Sequence, residues 1–135
     1  MKKILTVGVF DYFHYGHLRL FEQAKNISND SMLIVAVQQT DYIKNTKPDT
    51  EIFYNTDIRV ALISALRIVD KVVTYTDVSE IVKSIDFDIF AVGEDQNHSG
   101  FQAAIQWCEN NNKQVVRLKR TQNISSTEIK NKINS

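Results

Sequence analysis

The chain has 135 residues, 43% of them apolar and 24% charged, the balance of one globular domain spanning 1–135, which excludes a disordered or fibrous polymer. Sixteen basic residues against sixteen acidic ones give a formal net charge of zero, so no overall field recruits nucleic acid or an anionic membrane, and any anion must be bound locally. The lone Cys108 excludes an intrachain disulfide, the opening MKKILTVGVF is too short in apolar residues for a signal peptide, and no run approaches the roughly 20 apolar residues of a membrane span, so a cytoplasmic location is expected.

In chain order, short runs rich in Val and Ile predict strands at 3–10, 32–38, 71–75, 88–93 and 114–119. Most are nearly continuous in apolar residues, as a parallel sheet covered on both faces requires. Apolar spacing of three and four, as in Leu18, Phe21 and Ala24 or Val60, Ile63 and Leu66, predicts helices over 17–27, 56–68, 78–85 and 100–111. Asp77 with Glu80 and Ser125 with Glu128 have capping-box spacing and place helix starts just after Asp77 and Ser125. Trp107 and Cys108 fall in apolar spacing and read as packing residues. The alternation predicts a doubly wound, Rossmann-like α/β fold with a five-stranded parallel sheet, whose ligands lie at the carboxyl ends of the strands. The stretch 40–55, which holds the only proline, Pro48, reads as one long irregular active-site loop.

Two of the three histidines and two of the four glycines fall within 8–17. The first strand ends near Phe10 and a helix begins near Gly16 or His17, so His14, Tyr15, Gly16 and His17 form a strand-to-helix turn at the carboxyl edge. A helix start offers unpaired N–H groups and partial positive charge, both suited to phosphate. Gly16 allows close backbone approach, and two imidazoles there can donate to oxygens whose charge grows in a transfer reaction. Surface histidines or a metal pair are the other readings of this spacing. Zinc is disfavoured, because only the sequence-distant His98 and Cys108 remain as further ligands. Asp11 and Asp41, at the ends of strands one and two, either orient acceptor or ribose hydroxyls or cap turns.

The segment GVFDYFHYGH resembles the first signature of the nucleotidyltransferase family with a His-x-Gly-His motif, and RTQNISST over 120–127 resembles its second. The likeness covers essentially the whole chain and is greatest to small bacterial enzymes of the glycerol-3-phosphate cytidylyltransferase type. It departs from them at Asn123, where glycine is usual, and at Gln96, where they tend to carry tryptophan. The resemblance implies attack of an acceptor phosphate oxygen on the α-phosphorus of CTP, giving a CDP-linked product and pyrophosphate for an envelope or capsule polymer. It implies catalytic roles for His14, His17, Lys47 and Arg120, with Lys44 as the competing loop lysine. Nucleotide contacts would come from Gly8, Val9, Phe10, Gly16, Arg120, Thr121, Ile124, Ser125, Ser126 and Thr127. Acceptor contacts would come from Asp11, Asp41, Arg59 and Arg67. Mg²⁺ would arrive with CTP, the partners would be CTP and a small phosphorylated acceptor, and the assembly would be a homodimer. Helix capping alone also explains Ser125 with Glu128. An adenylyltransferase of the same fold and a non-catalytic nucleotide-binding module are the alternatives. The form of the 120–127 segment favours CTP over ATP, and the intact histidine turn argues against the module.

Overall fold

The computed structural model describes residues 1–120 and Lys132. The expected helix after Ser125 and the site positions Thr121, Ile124, Ser125, Ser126 and Thr127 lie outside them. Five strands, β1 (Lys2–Gly8), β2 (Ser31–Gln38), β3 (Lys71–Tyr75), β4 (Ile89–Gly93) and β5 (Gln114–Leu118), alternate with α1 (Tyr15–Lys25), α2 (Thr40–Thr46), α3 (Thr56–Ser64), α4 (Val78–Ser84) and α5 (Ser99–Asn110). All strand pairs are parallel, in the order β3-β2-β1-β4-β5. The winding therefore reverses between β1 and β4, as a doubly wound sheet does.

Strand alternation divides the core. Leu5, Val7, Ile34, Ala36, Phe90 and Val92 join Val82, Phe101, Ala104 and Cys108 of α4 and α5 on one face. On the other, Ile4, Leu33, Val35, Val37, Ile89 and Ala91 join Phe21 and Ala24 of α1 and Ile63 of α3. Both strand faces are buried, hence the unbroken apolar runs, and each large side chain so buried contributes about 1.5–3 kcal/mol. Cys108 is a packing residue, and burial pushes its thiol up to about 11. Helices α3 and α4 start at side-chain caps: Asn55 accepts the Ile58 N–H and Asp77 the Ser79 N–H.

Three boundaries differ from the sequence reading. β1 stops at Gly8 rather than Phe10, because Phe10 takes a left-handed φ of 56° and turns the chain out of the sheet. The 40–55 stretch is not one irregular loop: Thr40–Thr46 form α2, and the Ile43 side chain on it is buried. The helix expected to run to 68 ends at Ser64, where the Leu66 N–H to Ile63 and Val69 N–H to Leu66 bonds turn the chain. Asp70 then docks on β2, exchanging bonds with the Leu33 N–H and C=O. No helix among the described residues is long and apolar enough to cross a membrane.

Candidate active site

The turn after β1 is built around its aromatic residues. Phe10 is buried, its ring lies over Gly8, and a Cβ on Gly8 would come within 2.7 Å of it, so only glycine fits beneath. Phe10 and Phe13 each set a ring 5.4 Å from the His17 imidazole, Phe10 edge-on at 90°. Tyr12 is a second left-handed residue, with φ 49°. Two such non-glycine residues in three positions store strain of the kind that persists where the surroundings fix it.

His14 is the N-cap of α1, and the two histidines close a reciprocal box across its first turn. His14 Nδ1 accepts from the Gly16 N–H at 3.0 Å, and His17 Nδ1 accepts from the His14 N–H at 3.2 Å. Because both Nδ1 atoms accept, both neutral rings carry their proton on Nε2. The rings stack at 3.8 Å and 22°. Burial first, then the His14 charge, pushes His17 down to about 3. Burial and the Arg120 guanidinium lower His14 too. The result is a pair of neutral donors, side by side at a helix N-terminus, with an arginine close enough to act on His14. Such a group stabilises anionic oxygen without itself exchanging a proton.

Arg120 is set from the β4 side. Its backbone N–H donates to Glu94 Oε1 at 3.1 Å, and its guanidinium lies 3.9 Å from Asp95 Oδ2. Lys47, at the C-cap of α2, is exposed, and burial first, then the Lys47 charge, depresses His98, the N-cap of α5. It therefore stands at the carboxyl edge, on the α5 side. Lys44 lies in the last turn of α2, and Asp41 is exposed in its first turn.

Two of the expected acceptor residues have other positions. Arg59 is completely buried, donating to the carbonyls of Tyr54, Val9 and Gln38 and to Thr40 Oγ1 at 2.6–2.9 Å. This corrects the expected acceptor contact: its fork is spent inside the protein, tying the ends of β1 and β2 to α3. Arg67 is exposed in the turn before β3, at the amino edge of the sheet, opposite the histidine turn. Asp11 is 4% exposed, and its carboxylate receives the Phe53 and Tyr54 N–H groups at 2.7 and 3.0 Å. Of the two readings of Asp11, these bonds are those of a turn and loop anchor.

Sequence reasoning assigned no site role to Glu94 and Asp95, which hold Arg120, or to Tyr12, Phe13, Tyr54, Leu62 and Leu66, which line an open cleft of about 410 Å³. The signal for the acidic pair was their position directly after β4, at the carboxyl edge. Among the described residues no three His, Cys, Asp or Glu side chains converge to hold a metal ion.

The crevice between β1 and β4 and the histidine turn at the start of α1 suit an α/β domain that handles nucleotides. The model of the cytidylyltransferase-like family matches residues 5–132, and the chain belongs to that family. It is 32% identical over 133 residues to the glycerol-3-phosphate cytidylyltransferase of Bacillus spizizenii, covering 96% of this chain and 95% of that protein. It is 36% identical over 99 residues to the FAD synthase of Thermococcus sibiricus, covering 70% of this chain and 64% of that protein. The crystal structure of a lipopolysaccharide core biosynthesis protein from Thermoplasma volcanium superposes with a TM-score of 0.75 at 24% identity, covering 90% of this chain and 98% of that one, and shares the fold.

Proposed function

We propose that the chain transfers CMP from CTP to a phosphorylated small alcohol or polyol such as glycerol 3-phosphate. An acceptor phosphate oxygen forms a bond to the α-phosphorus as the α–β bridging bond breaks, and pyrophosphate leaves. Charge grows on the α-phosphoryl and bridging oxygens, and no covalent enzyme intermediate is needed. The observation that carries the reading is the stacked pair His14 and His17, both held as Nε2–H donors at the start of α1 beside Arg120. Neutral donors suit developing oxyanions that need hydrogen bonds without proton transfer. Gly8, Val9, Phe10 and Gly16 would form the floor under the nucleotide, and Thr121, Ile124, Ser125, Ser126 and Thr127 are its further proposed contacts. Lys47 serves as the loop cation, Asp41 remains a candidate acceptor contact, and Mg²⁺ enters as part of the substrate complex. The product would feed an envelope or capsule polymer, in the cytoplasm.

The near full-length likeness to a glycerol-3-phosphate cytidylyltransferase supports this acceptor class. The partial likeness to an FAD synthase favours the second reading, transfer of AMP from ATP. Pyrophosphate release from each of the four nucleoside triphosphates with a panel of phosphorylated polyols separates them. We expect the largest kcat/KM with CTP and a glycerol phosphate. An equal or larger value with ATP would transfer the function to the adenylyl reading, and binding without pyrophosphate release would make the chain a non-catalytic module.

We further propose that the functional unit is a homodimer. Ile58 and Leu62, one turn apart on α3, are 43% and 44% exposed and Phe53 is 61% exposed, beside the cleft lined by Tyr12, Phe13 and Tyr54. An apolar face of this kind supports burial against a second copy.

A further inference from the structure

The sheet parts at its switch point. β1 and β4 pair Ile4 with Ile89 and Leu5 with Phe90, and each strand continues three residues beyond, to Gly8 and Gly93. On their outer flanks both remain paired to the end, Gly8 with Val37 and Gly93 with Leu118. The separation is therefore local to the crevice between β1 and β4.

One side chain spans it. Gln96, from the loop after β4, accepts the Gly93 N–H on Oε1 at 2.9 Å and donates from Nε2 to the Val7 carbonyl at 3.3 Å. Its own N–H closes a turn onto the Gly93 carbonyl at 3.0 Å. A carboxamide carries the donor and acceptor of a peptide group, so it stands in for the ladder rung that the diverging strands lack. The two strands lead to opposite banks of the anion site. From Val7 the chain passes directly into the turn with His14 and His17, and from Gly93 into Glu94 and Asp95, which hold Arg120.

We propose that Gln96 is a positioning residue for nucleotidyl transfer, fixing the separation between the histidine bank and the arginine bank. This rests on the functional reading above. A shift of the order of 1 Å between groups that must meet one phosphoryl centre is costly in rate, whereas one tether between two strands already anchored on their outer sides adds little to folding. Gln96 acts through the strands, with no demand that it touch the substrate.

Two substitutions separate the links. Gln96→Met keeps length and volume and removes both bonds; Gln96→Glu keeps an acceptor for Gly93 and loses the donor to Val7. Steady-state kinetics, thermal unfolding and hydrogen exchange of the Gly93 amide are measured together. For Gln96→Met we expect faster Gly93 exchange and kcat lowered about tenfold or more, with the chain folded. For Gln96→Glu we expect wild-type Gly93 exchange and a lowered kcat. Its added charge opposes nucleotide binding and is read separately, in KM. An active wild-type chain whose Gln96→Met variant keeps its kcat overturns the positioning role and leaves the functional reading standing. A wild-type chain releasing pyrophosphate from no nucleoside triphosphate refutes the functional reading itself, and the role of Gln96 with it.

Discussion

His17 is held neutral by its surroundings, and this makes two consequences measurable. The first concerns turnover. If each Nε2–H donates to charge that grows in the transition state, His14→Ala or His17→Ala lowers kcat by about 10²-fold or more, the scale of one lost oxyanion donor. Pyrophosphate release by chains whose circular dichroism matches wild type checks this, and near wild-type turnover in both would remove the histidines from the chemistry. The second concerns acid stability. The folded chain resists protonating His17 until about pH 3, while an unfolded chain takes up the proton near the ordinary value of 6.5. The unfolded state binds more protons between those values, so stability is complete above pH 6.5 and falls as the pH drops below it. The loss is at most about 1.4 kcal/mol per pH unit. Asparagine offers an acceptor for the His14 N–H without titrating, so His17→Asn should flatten the dependence. Urea midpoints between pH 6.5 and 5, above most carboxylate titration, give the comparison, and equal slopes would contradict the assigned environment.

Among the elements, α3 shows where sequence patterning was legible and where it was not. Its place was marked by the spacing of Val60, Ile63 and Leu66: Ile63 is buried, and Val60 and Leu66 pack partly buried on the same core, Leu66 just beyond the helix end at Ser64. Arg59 shares the buried face with Ile63, four residues on, yet its charge made a ligand contact the natural expectation. Spacing shows which way a side chain points, but three carbonyls from Val9, Gln38 and Tyr54 converging on it exist only after folding. The same limit hid the end of β1, where apolar Val9 and Phe10 continue a strand pattern that the left-handed φ of Phe10 breaks. It also hid α2, seven residues long with no side-chain cap. Arg59→Met should therefore damage stability before chemistry. It leaves buried carbonyls unpaired and costs about 3 kcal/mol or more. Arg59→Lys recovers little, since a single ammonium cannot reproduce the guanidinium fork. Thermal and urea unfolding test this. A variant of wild-type stability with altered acceptor KM would restore the ligand role.

At the scale of the whole molecule, the sheet order was legible because alternating strand and helix periods permit few right-handed windings, whereas an intermolecular face leaves no period of its own. Ile58 and Leu62 differ from the core residues of α3 only in being left uncovered, together with Phe53. The cleft they border includes Phe13, whose ring also packs on His17, so a second copy seated there would rest against the histidine turn. Dimerisation and catalysis should then be linked. A stable interface buries about 800 Å² per partner around an apolar centre, and a carboxylate placed in that centre must be desolvated without a counter-charge. Leu62→Glu should accordingly shift sedimentation from dimer to monomer. Leu62 is already 44% exposed in the single chain, so the monomer should stay folded by circular dichroism. Turnover should fall with the loss of the dimer and recover in part at higher protein concentration, since association follows mass action. A wild-type chain that sediments as a monomer at every concentration at which it is active would refute the interface, and the apolar face of α3 would then belong to the acceptor cleft.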